Sequence, residues 1–326
     1  MRHTLTLIIA LAATASNAQQ ADPDYGLDFV TIGAAGNADS DPAIHLTVSH
    51  GPVGRVDYEY RIMRSKLDLA SWKEFVEVAY PIREQIRIGN IELLGTRLGA
   101  SNFNAQPGED AGIFIAAGAQ DWAATGSWRA AALYANWLHN GKGSDVEDFI
   151  NGAYDLRSGE SIPRPEPDAR FWIPNIHEWT KAVFYDPNRF GEGEPGYWTH
   201  PNGSDEVLVP GEPGVGQTPA TIFRDGTALG QYPDVLSPWG LQDLSGHGYE
   251  SVIQYDYFLG GDAFQYAAAS GTGLEYFFED RLGSWLSTPS TADINARFRL
   301  AAAIPAPAST PVFLAAALLT PTRRRP

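Results

Sequence analysis

Cysteine is absent from all 326 residues, and that absence excludes a whole class of chemistry. No disulfide framework can hold the chain, no thiolate can act as nucleophile, and no soft sulfur ligand can hold Cu(I). Positive charge is scarce as well: 23 Lys and Arg stand against 39 Asp and Glu, a formal net charge of −16. A basic face for nucleic acid is disfavoured, whereas an acidic surface suits solubility or divalent cations. The apolar runs Leu5 to Ala13 and Pro311 to Leu319 are about half the ~20 residues that a membrane-spanning helix needs. No G-x-S-x-G elbow occurs, and no serine has an evident histidine partner.

Against these absences, 44% of the residues are apolar and 12% aromatic, enough to bury a sizeable core. The 33 glycines and 23 prolines argue for many turns and little regular secondary structure. Residues 1–18 read as a secretory signal: Arg2 and His3, an apolar run, then Ser16-Asn17-Ala18 as a small-x-small cleavage site.

Local patterns place the elements. Residues 28–36 read as a first strand and turn, and 56–63 as a strand with Val56, Tyr58, Tyr60 and Ile62 on one face. Asn37-Ala38-Asp39-Ser40-Asp41 imitates half a calcium loop but lacks its glycine and twelfth-position glutamate, so it reads as a solvated acidic loop. Asp68 caps a helix whose stripe is Trp72, Phe75, Val76 and Ala79. Ser127 caps the clearest helix, with Ala131, Tyr134, Ala135 and Leu138 as its inner face and Asn140-Gly141 as its stop. Asn175 with Glu178 is a capping box, followed by Trp179, Ala182 and Val183 on one stripe and a stop at Asp186-Pro187. Residues 189–219 read as a long surface loop. Within it, residues 191–196 satisfy G-x-G-x-x-G without the strand and helix that a phosphate loop requires.

Five segments, taken in order, carry a family resemblance: residues 56–68, Trp128 with Ala131 and Asn136-Trp137-Leu138, Pro174 with Glu178-Trp179, residues 238–253, and Asn295 to Ala301 with Phe298 and Arg299. Together they resemble the formylglycine-generating enzyme (sulfatase-modifying factor) superfamily over roughly residues 27–303. The resemblance implies an α+β, C-type-lectin-like fold. It also implies calcium ligands around Asp243, Gly246 and Glu250, although His247 stands where the family has an asparagine. A second calcium site would draw on residues 218–223, with Thr221 replacing an asparagine. In the helix-capping segment Lys66 stands where the family has a glutamate. From Ile304 the tail runs through a proline-rich motif, an apolar stretch and Arg323 to Arg325. It resembles the PEP-CTERM signal read by exosortase-type sorting machinery.

The family's copper-and-cysteine oxidation is excluded here, because no thiolate exists. Histidines show no helical ligand spacing; His177, His200 and His247 could meet an acid around zinc only if the fold gathers them. Glu250 and Asp256 could serve a glycosidase at the right separation. The expectation is an exported, non-catalytic binding module of the surface or matrix, with Trp239 and Tyr249 facing a carbohydrate, exopolysaccharide or surface protein. It would meet a membrane only through its tail. The alternative is a metal-dependent enzyme of unknown reaction.

Overall fold

The structure, a computed structural model, describes residues 23–41, 52–86, 103–105, 113–115, 117–160, 162–220, 228–246, 248, 250–255, 264–268, 285–287 and 296–305. In chain order the first elements are β1 (Phe29–Ile32), β2 (Tyr60–Met63), α1 (Leu69–Ala79), β3 (Phe103–Ala105), β4 (Ile113–Ile115) and β5 (Thr125–Gly126). Then come α2 (Trp128–His139), α3 (Val146–Ile150), β6 (Phe171–Trp172), α4 (Ile176–Phe184), β7 (Tyr185–Gly191) and β8 (Glu194–Tyr197). The last are β9 (Glu250–Gln254), β10 (Phe264–Ala268), β11 (Trp285–Ser287), β12 (Ala296–Arg297) and β13 (Ala301–Ala302). The fold is α+β with little regular secondary structure, as the glycine and proline content implies.

Caps decide where the long helices begin. Asp68 accepts from Ser71 N, Ser127 from Ala130 N, and Asn175 from both His177 N and Glu178 N, each satisfying donors that a first helical turn leaves open. α1 buries Trp72, Phe75, Val76 and Ala79, the stripe its periodicity predicts. α2 departs from expectation. Instead of one inner face, every residue from Trp128 to Leu138 is buried, because neighbouring segments enclose the helix. Asn136 shows the consequence: its amide serves Phe149 O, Tyr154 O and Tyr154 N, backbone groups that would otherwise be orphaned.

A four-stranded antiparallel sheet has the order β1-β2-β13-β6, and a five-stranded sheet the order β11-β10-β9-β12-β5, in which only β9 and β12 pair in parallel. One apolar cluster joins α1 and α2, where Trp72 meets Phe75, Tyr134 and Phe298 at centroid distances of 4.8 to 5.8 Å. The other joins α4 to the four-stranded sheet through Ile62, Trp179, Val183 and Leu241. Residues Asp24–Ile304 form one compact unit. Among the described residues no helix is long and apolar enough to cross a membrane. Residues 1–22, where a secretory signal is expected, and 306–326, where a sorting tail is expected, lie outside the described residues.

Three local expectations are corrected. The strand at 56–63 is regular only over Tyr60–Met63, and Tyr58, expected to share a face with Val56, Tyr60 and Ile62, is 48% exposed while those three are buried. The loop at 37–41 is anchored as well as solvated: Asn37 bonds Gly54 O, Tyr197 Oη and Val56 N, and Ser40 bonds Val53 O. Residues 185–197 form the β7–β8 hairpin rather than the start of a loop, and Gly193, at φ +75°, sits in its turn. The G-x-G-x-x-G spacing is therefore hairpin geometry.

Candidate functional site

α4 begins beneath an open cleft of about 420 Å3 whose floor is Glu178. Four distant segments meet there for reasons visible in the backbone. Ile253 N donates to Pro174 O, tying β9 to the start of α4 and delivering Tyr255 beside it. Pairing of β13 with β6 sets Ala301 against Trp172 and Ala303 N on Arg170 O, which carries Ala303 to the cleft wall, and Tyr58 arrives on the approach to β2. Residues 164–169 close the remaining side, held by Glu166 N to Ala153 O.

Glu178 is 1% exposed, and its carboxyl oxygens hold three donors. One accepts from Tyr58 Oη at 2.7 Å and from Trp172 Nε1 at 3.0 Å, while the other accepts from Asn175 N at 2.7 Å. Its backbone carbonyl accepts from Tyr60 Oη at 2.5 Å. Burial raises the carboxyl pKa above 4.5, and the Tyr58, Asn175 and Trp172 bonds pull it partly back. The Tyr58 phenol is pushed up by burial first and then by the Glu178 charge. Tyr255 is raised by the same two causes in the same order. Both phenols therefore stay protonated at neutral pH. Arg164 lies 4.7 Å from the centre of the Tyr255 ring, a cation–π contact on the cleft wall.

A second polar cluster lies in the core. Arg299 grips Glu250 through two bonds of 2.5 and 3.1 Å and donates to Met63 O, Arg64 O and Gln242 O. Lys66 Nζ donates to Asp243 O at 2.7 Å and lies 4.0 Å from Glu250. Burial first, with Arg299 and Arg297 adding to it, draws the Lys66 ammonium pKa down from 10.5 to about 7, against Glu250 and Asp243.

The expected calcium residues fall here. A cation at Glu250 would have to displace Arg299. The Asp243 carboxylate accepts from Ser65 Oγ and Gly230 N. Gly246, at φ +81°, is tight against Ala220 N, which a Cβ would approach to 2.6 Å. Of the other site, Thr218 Oγ1 bonds Ser245 Oγ, and Thr221 lies outside the described residues. Among the described residues no group of three or more His, Asp or Glu could hold a metal ion. His177 Nδ1 accepts from Gly54 N at 3.2 Å, and His247 lies outside the described residues. Of the expected ligand-facing aromatics, Trp239 is half-buried against Gly33, outside the cleft, and Tyr249 lies outside the described residues.

Sequence reasoning finds Glu178 as a helix cap and misses its place in a cleft. Tyr58, Arg164, Trp172 and Tyr255 carry no shared motif, since only the fold brings them together.

No protein-family model and no curated protein matches the chain. Among solved structures, the crystal structure of CarF is 17% identical with a TM-score of 0.47, covering 85% of this chain and 98% of that one. Treponema denticola variable protein 1 is 12% identical with a TM-score of 0.46, covering 85% of this chain and 95% of that one. Both are weak likenesses at the level of the fold.

Proposed function

We propose that this chain is an exported, non-catalytic binding module on a C-type-lectin-like scaffold of the formylglycine-generating enzyme kind. Its signal would deliver it to the bacterial surface or extracellular matrix, and its sorting tail would hold it there. A carbohydrate or a surface protein would bind over the start of α4. The observation that carries this reading is the state of Glu178. It is the cleft's one buried acid, and three donors already engage its oxygens. A group so engaged rigidifies walls; general acid or base work needs an oxygen aimed at the substrate. The lack of cysteine supports the same reading, because the copper oxidation of the resembled family has no ligands here.

The test uses the full chain on a glycan array and against envelope extract. Saturable binding with the ligand recovered unchanged is expected. Binding to nothing, or chemical change in the ligand, would overturn the proposal. Metal analysis with and without chelator separates the rival: calcium alone or no metal fits a module, whereas stoichiometric zinc, copper or iron fits a metal-dependent enzyme.

A further inference from the structure

We propose that the cleft over α4 takes an uncharged saccharide, an assignment that rests on the binding-module reading and narrows it. The lining carboxyl groups disfavour an anionic ligand. A helix start ordinarily attracts anions, but Glu178 already places a carboxyl group there, bonded to Asn175 N. A phosphate, sulfate or uronate would meet that acid, with Glu59 and Glu166 also on the lining. Arg164 offsets one of these acids, and the Tyr255 face on which a ligand cation would stack already carries its guanidinium.

Size argues against a protein partner at this place. Fourteen residues line about 420 Å3, within the roughly 300–1,000 Å3 of small-molecule sites. A stable protein interface takes about 20–30 residues from each side.

What remains is a neutral ligand with apolar faces and hydroxyl edges. Tyr58 and Trp172 supply aromatic carbon for the faces. Both rings are fixed beforehand, because the phenol and the indole N–H are tied to the same Glu178 oxygen. Stacking on Tyr255 fixes the Arg164 guanidinium on the cleft wall, where it faces the hydroxyl edges of a ligand, and Glu166 is an exposed acceptor on the lining. Prearranged groups lose little freedom on binding, so a small contact can still give measurable affinity.

The experiment titrates the full chain, by calorimetry and ligand-observed NMR, with neutral hexose and N-acetylhexosamine oligomers. Uronic-acid oligomers and a proline-rich peptide run in parallel. A neutral oligomer is expected to bind, at least tenfold more weakly in Arg164→Ala and in Tyr255→Leu, and unchanged in Trp239→Phe. Arg164 is exposed, so its variant keeps the test sound even if Tyr255→Leu fails to fold. Undiminished binding by Arg164→Ala, preference for the uronic acids, or no binding of any neutral oligomer overturns the assignment. Binding of the peptide alone overturns it too but leaves the broader module reading standing.

Discussion

Glu178 and Glu250 are both buried, yet the chain satisfies them in opposite ways. Glu250 faces a guanidinium and an ammonium, and its network ties Met63 and Arg64, Gln242, Asp243 and Arg299 into one closed knot. Glu178 faces a phenol, an indole and a backbone N–H, all neutral, at the floor of an open cleft. A closed ionic knot fixes topology, because a charge left unpaired in the core is very costly. A carboxyl held by neutral donors fixes ring orientation instead, and its loss should be felt more in the cleft than in the fold.

The sharpest way to break this contrast is Glu250→Gln. It leaves Arg299 and Lys66 without their counter-charge, for an expected loss of about 3–5 kcal/mol in urea unfolding. A loss below about 1 kcal/mol would mean the knot is not closed. Lys66 gives the next effect. Its folded pKa is lowered to about 7 from 10.5, so between those values the unfolded chain binds the extra proton. Stability should therefore rise with pH across that window, by at most about 1.4 kcal/mol per pH unit from this group. Below about pH 7 both states carry the proton and the slope should vanish. Lys66→Met should abolish the rise, as unfolding midpoints of both proteins from pH 6 to 10 would reveal. Parallel curves would contradict it.

The parts of this contrast differ in how far they can be read from sequence. Asp68, Ser127 and Asn175 mark helix starts because capping is a local bond over two or three residues. The all-round burial of α2 escapes such reading, since Arg129 and Asn136 look polar until the fold gives Asn136 its backbone partners. The hairpin at 185–197 hides behind Asp186-Pro187. That pair does end the helix at Phe184, but proline is tolerated in a two-stranded ribbon and the chain continues extended. Glu178 is legible as a cap because Asn175 is three residues away. Its bond to Tyr58 spans 120 residues and has no local signature.

Smaller effects belong to the cleft. Glu178→Gln keeps an acceptor for one side but can turn amide hydrogens towards Asn175 N, for an expected loss of about 1–3 kcal/mol. The sign of its pH dependence follows from the raised pKa: the folded state keeps the proton after the unfolded chain has released it. The carboxyl's contribution is fully present below about pH 4.5 and is lost as pH rises through the folded value. The deficit of Glu178→Gln should therefore be largest in acid and shrink towards neutrality, and a deficit that grows with pH would reverse the assignment. Tyr58→Phe should be smallest, about 1 kcal/mol, because Trp172 still donates to the same oxygen and Tyr58 is half exposed. It removes a bond that holds the Glu178 pKa down, so the acid-side fall in stability should extend to higher pH. Its ring remains, so neutral-saccharide affinity should change less than in Arg164→Ala. If Tyr58→Phe instead cost as much as Glu250→Gln, the cleft would be a second closed knot, and Glu178 would be there for the fold alone.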